Sequence, residues 1–181
     1  MMMKKFSGLS VALLGLWLFT GCSTNIHPPE TVNTPPPQKF GSFSQVKLET
    51  SVIAPEYAES SSSRKAVNKI DELLNQRLKT VFPQLNSPNG GSGKTLVIKP
   101  YVEAIKFVGG GTRFWAGAMA GSSAVILRVD YVEQSSGKII ASPKFYSKAS
   151  AVSGDYSMGG NDNAMLNRIV SAAVDYTVSH R

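Results

Sequence analysis

Hydrophobic residues in this chain first run together, then vanish, then settle into regular periods. Phe6 to Phe19 is a run of 14 mostly apolar residues, whereas Ser23 to Lys39 holds almost nothing apolar. Beyond Phe40 the periods begin. Phe43 to Leu48 predicts a short strand with Val46 and Leu48 on one face. Residues 49–63 read as a loop ending in four serines, Ser60 to Ser63, ready to cap a helix. That helix is expected from Arg64 to Phe82, because Val67, Ile70, Leu74, Leu78 and Val81 recur at three- and four-residue spacing; Pro83 ends it. Lys94 to Phe107 predicts a long strand interrupted at Pro100, which suggests an edge position or a bulge.

Ala124 to Val132 alternates most clearly, with Val125, Leu127, Val129 and Tyr131 on one face and Arg128 and Asp130 on the other. Ser135 to Lys138 makes a tight turn into a return strand from Lys138 to Val152, with a bulge expected at Pro143. A last helix spans Ala164 to Val178, with Leu166, Ile169, Ala173 and Tyr176 on its buried stripe and Asn161, Asp162 or Asn163 as its cap. Strand, helix, strands, helix predicts an α+β fold. It would be a single mixed or antiparallel sheet of four or five strands with two helices packed on one face.

The apolar start has its own logic. Lys4 and Lys5 precede the run, and Thr20-Gly21 separate it from Cys22. A basic start, a short apolar run and a small-residue boundary predict a secretory signal; a bilayer span needs about 20 apolar residues. Leu18-Phe19-Thr20-Gly21-Cys22 resembles the lipobox of bacterial lipoproteins, with Gly21 matching, Thr20 tolerated and Phe19 standing where leucine is usual. The resemblance implies that residues 1–21 are cut away and that Cys22 is acylated and becomes the first mature residue. Ser23, rather than aspartate, then implies a periplasm-facing outer-membrane address in a Gram-negative host. Cys22 is the only cysteine, so no disulfide competes for it. Two or three acyl chains hold a protein where one binds only reversibly, each buried CH₂ contributing about 0.8 kcal/mol.

Residues 22–39 are then a lipidated tether and 40–181 the domain. Pro28-Pro29 and Pro35-Pro36-Pro37 favour extended polyproline geometry, and residues 23–39 reach roughly 50 Å at about 3.1 Å per residue. Loss of Lys4 and Lys5 lowers the net charge from +7 to +5. The remaining cations are scattered, and export argues against nucleic acid as a partner, so membrane lipid and an envelope protein are the expected partners.

Catalytic chemistry finds no constellation. Gly90-Gly91-Ser92-Gly93-Lys94-Thr95 ends like a phosphate-binding loop, but Pro88 stands where the first glycine belongs, and the segment opens a strand rather than a helix. Gly117 and Gly121 have helix-packing spacing, but Ser122 and Ser123 break an apolar stretch of only 14 residues. His27 lies in the tether and His180 beside the C-terminus, neither placed to activate a nucleophile or hold a metal. Ser157 has Asp155 where a nucleophile elbow needs glycine. Asp71 and Glu72 sit about 100° apart on a helix, as a solvated surface would have them. No catalytic residue, metal or cofactor is therefore expected.

Arg113, Phe114, Trp115 and Met119 have the composition of an interaction hot spot. Alternatively Phe114 and Trp115 plug the core, with the flanking glycines letting the backbone come close. The series Gly109-Gly110-Gly111-Thr112-Arg113-Phe114, Ala116-Gly117-Ala118-Met119-Ala120-Gly121, Asp130-Tyr131-Val132, Ser136-Gly137-Lys138 and the glycine-rich 154–160 resembles an uncharacterised family of bacterial lipoproteins labelled only as a domain of unknown function. The resemblance covers roughly 41–180 and implies a small α+β envelope domain with no assigned activity. The expected function is a membrane-anchored, non-catalytic binding or assembly module. A self-associating structural lipoprotein, or a hydrolase with an unrecognised site, is the alternative.

Overall fold

The computed structural model describes residues 26–88, 93–108, 122–149 and 160–181. A 3-10 turn at Phe40–Ser42 leads into β1 (Gln45–Leu48) and β2 (Val52–Ile53). Helices α1 (Pro55–Ala58) and α2 (Ser61–Val81) follow. The strands β3 (Thr95–Lys106), β4 (Ala124–Glu133), β5 (Ile139–Ala141) and β6 (Lys144–Lys148) precede α3 (Gly160–Ser179). Long β3 and β4 pair antiparallel at the centre. β1 and β2 lie one after the other along the outer side of β3, parallel to it. β5 and β6 do the same along β4, antiparallel. The α+β class and the single mixed sheet are those expected. Both outer strands are split in two, which makes six strands rather than four or five. The split also places β2 and α1 inside the stretch 49–63 read as a loop.

Two prolines mark the splits. The carbonyls of Ile98 and Val102 point outward, accepting from the N–H of Glu49 (2.9 Å) and of Ala54 (3.0 Å). Pro100 lies between them and turns its missing N–H the same way, into the break at 49–51 between β1 and β2. A proline thus sits in a central strand because no neighbour is there to be denied a bond. The edge position expected for Pro100 is corrected accordingly, and the register shift falls later, between Val102 and Ala104. Pro143 occupies the gap between β5 and β6, where its carbonyl accepts from Val129 N–H at 3.0 Å. The break at 49–51 is held from the helix layer, since Asp71 accepts from Ser51 N–H at 2.9 Å. Asp71 is therefore a structural acceptor, not merely a solvated carboxylate.

Helix α2 begins three residues before the expected Arg64 because Ser60 takes the cap, its hydroxyl accepting from Ser63 N–H at 3.3 Å. It stops at Phe82, whose extended backbone (φ −123°, ψ 90°) is the conformation that a following proline imposes. α3 starts at Gly160, so Asn161, Asp162 and Asn163 lie inside its first turn rather than ahead of it. Asp162 there complements the positive end of the helix dipole.

The core lies between the two long helices and one face of the sheet. Ile70, Leu74 and Leu78 of α2, Met165 and Ile169 of α3, and Val125, Leu127, Val129 and Tyr131 of β4 are all buried in it. Arg77 ties the helices together, donating to the Asn167 side chain and the Ser171 hydroxyl, both at 2.7 Å. Phe40 stacks on Tyr131 with ring centres 4.2 Å apart. Its N–H donates to His180 O at 2.8 Å, so the first and last turns of the domain are pinned to each other.

Candidate interaction face

Alternation in the strands puts a second set of side chains on the face that the helices leave open. Register places Lys99, Tyr101 and Glu103 of β3 beside Arg128 and Asp130 of β4, and these beside Lys144 and Tyr146 of β6. The half-buried charges are spent on one another. Glu103 receives both Arg128 Nη1 (3.1 Å) and Lys144 Nζ (2.9 Å). Arg128 Nε lies 3.2 Å from Asp130 Oδ1 without hydrogen-bond alignment, so that contact is purely coulombic. The Ser142 hydroxyl donates to Asp130, and the Arg128 guanidinium sits over the Tyr101 ring at 4.7 Å.

Partly exposed pairs of this kind contribute about 0.2–1 kcal/mol each. Glu103 matters more than one pair, because without it Arg128 and Lys144 face each other. Glu103→Gln is expected to lower unfolding stability by about 1–2 kcal/mol at low salt. At 1 M salt, where screening acts within about 3 Å, most of that deficit should disappear. Urea unfolding at the two salt concentrations checks this.

The sheet edges have their own closures. At β1, Asn86 adopts a left-handed backbone (φ 60°), donates its N–H to Val46 O (3.0 Å) and accepts from Leu48 N–H through Oδ1 (2.8 Å). At β6, Asn33 does the equivalent with its side chain alone. Its Nδ2 donates to Lys144 O at 2.9 Å, and its Oδ1 accepts from Lys144 N–H at 2.8 Å. A proline-rich segment has few N–H groups to offer a strand, and a side-chain amide supplies both a donor and an acceptor. Covered edges do not invite stray strand pairing.

Two phenols extend the clasp. Tyr146 donates to Ile26 O at 3.3 Å and Tyr176 to Thr34 O at 2.8 Å. Desolvation pushes both phenols above their ordinary pKa. Residues 26–34, which the sequence places in the tether, are thus bonded to the domain. Asn33→Ala is expected to cost about 1 kcal/mol and to speed amide exchange at Lys144. Unchanged exchange there would rule out the clasp.

Among the described residues of this face, Glu103, Asp130, Arg128 and Lys144 contact one another. Among the described residues no three His, Cys, Asp or Glu side chains gather to hold a metal. A cleft of about 380 Å³ beside α2 is lined by Ile53, Ser61, Arg64, Lys65, Val67 and Asn68. Its Arg64 guanidinium is already committed to the carbonyls of Ala58 and Glu59, both at 3.0 Å. His180 Nδ1 lies 2.7 Å from Tyr176 O, in contact with backbone rather than with a nucleophile.

Cys22, Arg113, Phe114, Trp115 and Met119 lie outside the described residues. The Glu103 network and Asn33 were not singled out in the sequence. The alternation of β4 pointed to Arg128 and Asp130 sharing a face, but only the pairing of β3 with β4 brings Glu103 to them.

No protein-family model and no curated protein matches the chain. Solved structures similar to it include the PelC dodecamer from Paraburkholderia phytofirmans (15% identity, 83% of this chain, 96% of that one, TM-score 0.49). A protein of Xanthomonas campestris described under the family DUF330 matches at 9% identity over 82% of this chain and 91% of that one, TM-score 0.48. A hypothetical protein of Chlamydia trachomatis matches at 12% identity over 75% and 95%, TM-score 0.47.

Proposed function

We propose that this chain is a lipid-anchored lipoprotein of the bacterial envelope whose domain acts as a non-catalytic binding or assembly module. The observation that carries this reading is the clasp at β6. Residues 26–34 of the expected tether are fastened to the domain, by Asn33 and Tyr146 at β6 and by Tyr176 on α3. Fastening leaves only residues 23–25 between Cys22 and the bonded segment. The open face supports the non-catalytic part, since Glu103, Asp130, Arg128 and Lys144 at its centre are paired with one another.

Crosslinking the intact lipoprotein in its native envelope tests the proposal. Reproducible capture of a specific envelope protein is expected. Recovery of lipid alone would overturn the assembly role, and capture of this chain alone would replace it with self-association. Trp115→Ala adds a local test. Lost capture with unchanged stability would make Trp115 an interaction residue; a large loss of stability would make it a core plug.

A further inference from the structure

We propose that the helix-free face of the sheet docks on an anionic lipid surface, with the Ile26–Thr34 clasp holding it there. The inference rests on the anchor at Cys22. The side chain of Tyr146 belongs to this face, and its hydroxyl holds Ile26 O at 3.3 Å. Only residues 23–25 separate Ile26 from Cys22. At 3.3–3.6 Å per residue, those four steps span at most roughly 14 Å. A tether free along its whole length would leave the orientation open. The clasp instead limits the anchor to roughly 14 Å from the Ile26 carbonyl that Tyr146 holds at this face.

The charge of the face matches such a surface. Register and alternation place Lys47, Lys99, Lys106, Arg128, Lys144 and Lys148 on it, against Glu49, Glu103 and Asp130. Cations exceed carboxylates by three among the described residues, on a mature chain whose whole excess is five. Basic residues are attracted to an anionic leaflet, and that attraction fades within a Debye length of about 10 Å at 0.1 M salt. The short lead from Cys22 holds the Tyr146 end of the face within roughly 14 Å of the anchor, a distance comparable to that screening length. Docking this way leaves the helix layer turned outward, toward any protein partner.

The test uses the intact lipoprotein reconstituted in vesicles. Lys148→Cys and Lys99→Cys place a maleimide-linked polarity-sensitive fluorophore on the open face, and Lys79→Cys places it on exposed α2. On vesicles of phosphatidylethanolamine with phosphatidylglycerol, quenching by acrylamide at 148 and 99 should fall about twofold, and high salt should restore it. On phosphatidylcholine alone no fall is expected, and position 79 should stay open on both. Equal quenching at all three positions, or an equal fall on phosphatidylcholine, overturns the docking face. Acylation leaves Cys22 without a thiol, so each variant should take one label. Two labels per chain would show Cys22 free, and would sink the anchor reading itself rather than the docking face alone.

Discussion

Phe40→Ala should cost the domain about 3–5 kcal/mol, a large fraction of a fold whose total stability is of order 5–15 kcal/mol. Phe40 is fully buried although it lies at the boundary with the proline-rich segment. Its ring stacks on Tyr131 at 4.2 Å and meets Tyr176 at 6.2 Å and His180 at 6.3 Å. Aromatic pairs of this geometry contribute about 0.5–1.5 kcal/mol beyond burial. The alanine would leave a cavity walled by β4 and α3, two rigid elements that cannot easily close on it. Urea unfolding of the chain from residue 23 onward measures the loss. A change below about 1 kcal/mol would mean that Phe40 is not part of the core.

The second large effect is alkaline. Burial drives the Tyr131 phenol far above its ordinary pKa; the hydrogen bond with Thr177 works against that shift and nearby Tyr176 adds to it. The folded state therefore keeps a proton that the unfolded chain loses near pH 10. Below that pH the contribution is fully present. Above it the unfolded state binds fewer protons, and stability falls by about 1.4 kcal/mol per pH unit. Tyr131→Phe should remove this steep component and leave the shallower one from Tyr146 and Tyr176, whose phenols are also raised. At neutral pH the variant should lose only about 1 kcal/mol, because Thr177 Oγ1 still donates to Ala173 O at 2.8 Å. Urea midpoints between about pH 8 and 11 check both statements. An identical pH slope in the two proteins would contradict the assignment.

The legible parts of the fold were those with strong periodicity. The alternation of β4 named Val125, Leu127, Val129 and Tyr131 as core, and they are buried. The three- and four-residue spacing of α2 likewise named Ile70, Leu74 and Leu78. The breaks in the outer strands were not legible. Pro100 reads as an edge residue in isolation, and only the gap between β1 and β2 explains how a central strand keeps it. β2 has two residues and α1 four, too short for either period to show. The site was less legible still. Nothing in composition separates Asn33 from the other polar residues around it, because its role comes from facing Lys144, 111 positions away. Glu103, Arg128 and Lys144 come from three different strands, so only register brings them together.

Intact mass of the protein isolated from its envelope tests the central claim most directly. The account predicts a chain beginning at Cys22 and heavier than residues 22–181 by two or three acyl chains, one of them removable with the N-terminal amide. A mature chain that retains residues 1–21, or one that begins near Cys22 with a free thiol, would contradict it.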